Sequence, residues 1–351
     1  MSLIKGSVNI SSFDLTDVRL DLNKLDAAIK TNSFTDIETV ATQCACGFVS
    51  FHDYMDTSFA YADYDLNPFM VLGVRQDKRN ITSAVLNKYY RMEIEQARNL
   101  QPDWRPSKAD RVMLKEKAKL KLLLQTPPVP KTWECFINTR DNRLVVLSAS
   151  DAEIATTLQL LEQCLTFSVQ PYNPLAAFAE LSGISAEHAQ QYFLTWLWWL
   201  ADTSIIVNAA TYGDVDVSFA GRISLNPLSG KGGTTVNVLG ADDNLWEARQ
   251  ALDQGKLVSA IKVEYIIYGD IYRLSLDAKT LQPKSVLLPS IKNAENDSDT
   301  DGLTLTLERI FVIETLVRAH GELMAAFIAM YKDNGAMLDH FNAWKSHPHI
   351  L

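Results

Sequence analysis

The chain has 351 residues, 47% hydrophobic and 21% charged, with a formal net charge of −9. That length suits roughly two or three domains of ordinary size, and no apolar run reaches the ~18 residues of a membrane span. The opening MSLIKGSVNI lacks the basic and apolar regions of a secretory signal, and four cysteines in so long a chain set no disulfide framework, so a reducing, cytoplasmic setting is expected.

In chain order, Leu3–Phe13 alternates as a strand does, and Leu22–Lys30 places Leu22, Leu25 and Ile29 on one side of a helix. Cys46–Phe51 and Pro68–Arg75 read as strands, with the Asp-rich segment His52–Asp65 between them. Ile81–Leu100 forms a long helix opening on a Thr or Ser cap. Pro102 and Pro106 end it, and Ser107 caps a second helix, Lys108–Leu124, which stops at TPPVP. Thr132–Ser150 gives a strand, a turn at Arg140-Asp141-Asn142 and a second strand, and Asp151 opens a helix reaching Leu165. SVQPYNP (Ser168–Pro174) marks a boundary, dividing the chain into 1–167 and 168–351.

Beyond it come one or two helices over Pro174–Ala201, an irregular β region holding VDVSFAGRISL, and a Gly-rich turn, SGKGGTT. The strand TVNVL and a helix at Asp242–Gln254 follow. Lys256–Ala278 is a hairpin turning at Gly269-Asp270. Asn293–Gly302 is an acidic loop, and a final helix, Leu305–Tyr331, precedes a short tail. The pattern is α+β: mixed antiparallel sheets with long helices, in several subdomains. Trp196, Trp198 and Trp199 sit together in YFLTWLWWLAD; such density means core first and a subunit interface second.

Charge is unevenly distributed. Between Arg75 and Lys121 there are thirteen basic and six acidic residues, a balance of +7, while the remainder carries −16. Salt screens charges beyond ~8 Å, so distant carboxylates need not cancel a local basic surface. On a wheel with Leu114 at 0°, Arg111, Lys115, Lys108 and Lys119 fall at about 60°, 100°, 120° and 140°. Val112, Met113, Leu120, Leu123 and Leu124 form the apolar arc, and Lys117 and Lys121 lie on a third side. Like charges four apart repel, whereas a polyanion reverses the sign of that cost. The phosphate partners expected from this pattern are Arg75, Lys78, Arg79, Lys88, Arg91, Arg98, Lys108, Arg111, Lys115 and Lys119. The alternative is a Lys-rich face that merely solvates a surface helix.

Other constellations carry less. SGKGG has Leu225 where a phosphate loop needs its first Gly and Gly232 where it needs a hydroxyl. Cys44-x-Cys46 is half a metal site without its other half, and His340, His347 and His349 are scattered in the tail. Pro102-Asp103 could open a nuclease pattern, but no carboxylate-x-Lys triplet follows at a suitable distance; Asp277-x-Lys279 is far downstream. No catalytic residue, metal ligand or cofactor site is therefore expected.

Three stretches, PFMVLGVRQDKRNITSAVLNKYYRMEIEQAR, LLLQTPPVPKTW and FINTRDNRLVVLSASDAEIATTLQLLEQCL, resemble the recombination-associated RdgC family. Weaker likeness extends through LIKGSVNI, CGFVSF, ALDQGKLVSAIKVEY, IYRLSLD and GELMAAFI. The resemblance implies an elongated, multi-subdomain, non-enzymatic protein of the nucleoid, binding double-stranded DNA without sequence specificity. It implies a homodimeric ring around the duplex that restrains loading of the strand-exchange recombinase. Phosphate contacts by Lys and Arg fit such sequence-independent binding. Family members often carry an exonuclease label, which makes a metal-dependent DNA exonuclease the rival reading. A protein-interaction module docking through the Trp-rich segment is the third. Two stretches depart from the family pattern: Tyr192–Gly221 is extra sequence, and TVNVLGADDN has acids where bases are expected.

Overall fold

The computed structural model describes residues 3, 6–19, 22–60, 63–102, 104–227, 233–240, 245–290 and 302–346. Its elements begin with β1 (Ser11–Arg19), α1 (Leu22–Thr31), β2 (Cys44–Val49), β3 (Asp65–Leu66) and β4 (Phe69–Lys78). Next are α2 (Ser83–Leu100), α3 (Lys108–Gln125), β5 (Val129–Asn138), β6 (Arg143–Val146), α4 (Asp151–Glu162) and β7 (Thr166–Pro171). Then come α5 (Leu175–Ser182), α6 (Ala186–Thr203), β8 (Val207–Ala209), β9 (Gly213–Pro227), β10 (Val236–Leu239) and α7 (Trp246–Asp253). The chain closes with β11 (Lys256–Ile267), β12 (Asp270–Asp277), β13 (Lys284–Leu287), α8 (Gly302–Asp333) and α9 (Ala336–Ser346). Helices and two antiparallel sheets make the class α+β, as the sequence pattern requires. No helix among the described residues is long and apolar enough to cross a membrane.

Two compact units share the chain, and neither is one continuous segment. The first holds Thr16–Asn142 and Asp151–Ser168; the second holds Ser2–Leu15, Arg143–Ser150 and Val169–Leu351. A single cut after residue 167 therefore differs from the packing at two places. The N-terminal residues are stitched into the second unit by Val8 and Val286, which exchange backbone hydrogen bonds of 3.0 and 2.7 Å, and by Ile10 N–H donating to Pro283 O. Arg143–Val146 joins the same unit by pairing with Ser11–Asp14.

In the first unit, β4 lies between β2 and β5, with Gly73 opposite Val49 on one side and Glu134 on the other. Buried Phe48, Val74 and Trp133 line one face, and the Trp133 indole donates to Thr157 Oγ1 of α4 at 2.8 Å. Gly47 is required where it stands. A Cβ there would lie 2.5 Å from the Phe34 backbone, which crosses β2 through a parallel bridge at Ser33 and Phe48.

The second unit packs α6, α7 and α8 with the β9–β13 sheet. Strands β11 and β12 form the expected hairpin, but the turn residues are Tyr268 and Gly269, with φ of 54° and 85°, and Ile267 pairs with Asp270. Both central residues with positive φ give the twist that a two-residue connection favours. The Trp cluster is core: Trp198 is 1% exposed and meets Trp344 edge-on at 5.2 Å, while Trp199 packs on Phe341. A docking role for that segment is thereby removed. The partner rings come from α9, where a tail was expected. Asn334, at φ 48°, ends α8, and Leu338, Phe341 and Trp344 then recur at helical spacing and are buried. The Gly-rich turn at 228–232, the acidic loop at 293–301, and His347 and His349 lie outside the described residues.

His320 of α8 is buried in this core. Its Nε2–H donates to Leu281 O at 3.0 Å, which leaves Nδ1 to accept from the Tyr265 hydroxyl at 3.0 Å. Burial pushes its pKa down to about 4. The unfolded chain, with an ordinary value near ~6.5, therefore binds a proton that the fold excludes. The resulting stability is fully present above that unfolded value and drains as pH falls toward about 4, by on the order of 3 kcal/mol. Urea unfolding between pH 7 and pH 4 is expected to show this slope in the wild type and to lose about one proton of it in His320→Gln. Equal slopes in the two proteins overturn the assignment.

Candidate nucleic-acid interface

Helices α2 and α3 pair as an antiparallel hairpin, and local sequence sets both. Thr82 caps α2 by accepting from Val85 N–H, and Gln101, extended at φ −140°, ends it. Ser107 and Asp110 form a reciprocal capping box at the start of α3, each side chain accepting from the other's backbone N–H. Proline at 102 and 106 keeps the connection from becoming helix.

The hairpin's seam is unusual. Along the 18 residues of α2, Glu93 is the buried one, at 4% exposure. Lys117 and Lys121, successive turns of α3, reach its two oxygens at 2.8 and 2.5 Å. Hydrogen bonds from Lys117 and then Lys121 hold the Glu93 carboxyl below the usual carboxylate range, against the opposing effect of burial. Around this clasp α3 buries Leu114, Ala118, Leu122 and Leu123. The expected apolar arc is mostly outside: Met113 is 62% exposed, and Val112, Leu120 and Leu124 are exposed too, whereas Leu123 is buried. The spacing of 114, 118 and 122, one step per turn, is the stripe that packs. The broader arc of larger residues does not.

The ten expected phosphate partners separate into three groups. Arg79 is 1% exposed and donates to five carbonyls: Ile37, Glu38, Val40, Thr42 and Thr126, at 2.6–2.9 Å. All five guanidinium N–H groups are used. Arg75 is also buried, forks onto Asp77 with two bonds of 2.7 Å, and lies 4.3 Å from the Phe34 ring centroid. Neither can reach a phosphate, and both leave the set. Lys78, at the end of β4, and Lys88, on the outer side of α2, are exposed.

The remaining six converge. In an antiparallel pair, angles on the two helices run in opposite senses seen from one end. On that basis Arg91 and Arg98 of α2 and Lys108, Arg111, Lys115 and Lys119 of α3 all fall to one side of the seam, roughly 60–160° from it. Lys119 is half-buried and the other five are exposed. None is in an ion pair among the described residues. Val85 and Met92 of α2, with Met113, Leu120 and Leu124 of α3, fall about 80–120° to the opposite side. These six cations and most of the exposed apolar side chains thus lie on opposite sides of the seam, with Val112 exposed on the cationic side and Lys88, Glu95 and Glu116 on the other.

Sequence reasoning missed the clasp. Its signal was available: Lys117 and Lys121 are i, i+4 on the side that the wheel left unassigned. Among the described residues, no three His, Cys, Asp or Glu side chains group as a metal would need. Cys44 and Cys46 are exposed thiols on β2, Cys135 is buried, and burial pushes the Cys135 thiol up to about 12.

Replacing Glu93 tests the seam. Glu93→Gln removes the charge that orders two lysines and is expected to cost about 1–2 kcal/mol, since hydrogen bonds to charged groups are the stronger ones. Amide exchange should quicken in α2 and α3 ahead of β4 and β5. Uniform quickening, or none, defeats the clasp as the element that joins the helices.

A family model described as "Putative exonuclease, RdgC" matches residues 8–182, ending at the last residue of α5. No curated protein matches the chain.

Proposed function

We propose, from the premise that the chain belongs to the RdgC family through residues 8–182, that it binds double-stranded DNA along the cationic face of the α2–α3 hairpin. The observation that carries this is convergence: six cations from two helices share one side, in no ion pair among the described residues, while Glu95 and Glu116 lie elsewhere on the wheel. Lys and Arg presented this way meet phosphate oxygens and read no base edges, so binding is independent of sequence. Lys78 is a further exposed cation at the end of β4, whereas Lys88 falls about 140° to the opposite side of the seam.

The opposite face supports a homodimer. Methionine and leucine side chains exposed in a row lose water by meeting a like surface, and a second copy supplies one. A ring around the duplex, residence on the nucleoid and restraint of recombinase loading follow from the family resemblance. In this reading the protein uses no cofactor and carries out no chemistry. The family description favours a second reading, exonuclease action. Release of nucleotides from end-labelled duplex with Mg²⁺ or Mn²⁺ tells the two apart.

If six phosphates are engaged, log affinity against log salt should slope near ~ −5, because each neutralised phosphate contributes about −0.9. Lys108→Gln, Arg111→Gln, Lys115→Gln and Lys119→Gln together should flatten that slope by about 3.6 and weaken all duplex sequences alike. Fluorescence anisotropy over a KCl series measures both. Undiminished binding by the quadruple variant defeats the hairpin as the DNA face.

A further inference from the structure

The second unit holds a cationic arrangement that the hairpin does not explain, and it lies outside the segment that the family model matches. In β11 the buried residues Ile261, Val263 and Tyr265 alternate with Lys262 and Glu264, which therefore occupy the opposite face of the sheet. Across this other face the strand registers set one row: Leu239, Arg222, Lys262, Ser275 and Lys284. Arg222 and Lys262 are direct cross-strand partners, so their Cβ atoms stand about 5 Å apart.

Like charges directly opposite one another destabilise an antiparallel pair. Neighbouring cations on the same face are neutralised: Arg273 Nε donates to Glu264 at 2.6 Å, and Lys284 is paired with Asp277 at 2.5 Å. Arg222 and Lys262 have no such partner among the described residues. Beside them β9 bulges. The register with β11 slips between Lys262 and Val263, Gly221 takes φ 86°, and Gly240 N–H donates to Gly221 O at 3.1 Å. The bulge leaves a shallow concavity of about 400 Å³, lined by Phe219, Ala220, Gly221, Gly240, Lys262, Glu264 and Arg273; Glu264 is engaged by Arg273, and Arg222 stands beside the hollow. An opposed cation pair beside an open polar hollow is costly in the free protein and favourable once an anion lies between the charges.

We propose that Arg222 and Lys262 form a phosphate-binding point of the second unit, holding a phosphodiester of duplex DNA between guanidinium and ammonium. The ligand class rests on the DNA-binding reading above; the site itself is separate from the α2–α3 hairpin. Together the two cations neutralise that one phosphate, which sets their share of the salt dependence.

The test uses the full chain, with duplex binding followed by anisotropy across a KCl series. Arg222→Gln/Lys262→Gln should flatten the log–log slope by about 0.9 relative to the wild type. Its Tm should equal or exceed the wild-type value, because a repulsion has been removed. Arg222→Lys/Lys262→Arg, which preserves both charges, should keep the wild-type slope. A slope unchanged in the Gln variant overturns the proposal. So does a Tm below wild type, or a charge-preserving variant that loses slope equally, since either marks a structural role. A wild-type protein that binds no duplex defeats the DNA reading itself. Wild-type binding whose slope the Gln variant leaves intact defeats this point alone.

Discussion

One buried cation fixes where the basic hairpin is rooted. Arg79 leaves the end of β4, just ahead of α2, and its guanidinium donates to Thr126 O, just past α3, as well as to four carbonyls of the 37–42 loop. Both ends of the hairpin are thus tied to a single planar group. An isolated buried charge costs many kcal/mol unless it is solvated by the protein. Here five carbonyl dipoles replace water, and each of them would otherwise need a donor of its own. Interior solvation and loop closure are the same set of hydrogen bonds. Lysine in that place would offer three donors from one point and could not span five acceptors.

Beyond the root, the hairpin joins apolar burial to a charged clasp. Leu114, Ala118, Leu122 and Leu123 of α3 are buried, Leu86, Tyr89, Tyr90, Ile94 and Ala97 of α2 are half-buried, and Lys117 and Lys121 close on the buried Glu93. This has a consequence for the surface. The seam consumes two lysines and the i, i+4 stripe of α3, and the other cations and the exposed Met113, Leu120 and Leu124 are left outside on opposite sides.

Much of this was legible in the sequence and some was not. The limits and caps of α2 and α3 and the positions of most strands follow from Thr82, Ser107, the prolines and period-two alternation, which act locally. The basic window was visible as a charge count, but a count is blind to depth. Arg75 and Asp77 are i, i+2 on a strand, hence on one side of it, and that opposite-charge spacing was the mark of a buried pair. Nothing in the neighbourhood of Arg79 distinguishes it from Lys78, because its five partners are backbone atoms and leave no trace in residue identity. The wheel failed on α3 for a related reason. It weights residue size, while helix packing there selects Leu114, Ala118 and Leu122 because the small Ala118 admits the neighbouring helix. Helix α9 escaped notice because Asn334 and Gly335 looked like the end of structure, when they are the turn that brings Trp344 back to Trp198.

The same contrast separates the two cationic regions. On the hairpin, successive cations lie along helices, and i, i+4 repulsion between them is shared with solvent on an exposed surface. On the β9–β11 pair, Arg222 and Lys262 are forty residues apart in sequence and become neighbours only through register. A one-residue slip of β9 would send Arg222 to the face that packs on the helices and part it from Lys262, so the bulge at Phe219–Gly221 also fixes the charge pattern. Sequence reading finds clusters that are contiguous along the chain; it does not find those assembled by strand pairing. Where topology alone sets two cations side by side with no carboxylate partner among the described residues, against their mutual repulsion, the fold spends stability on a surface that an anion would complete.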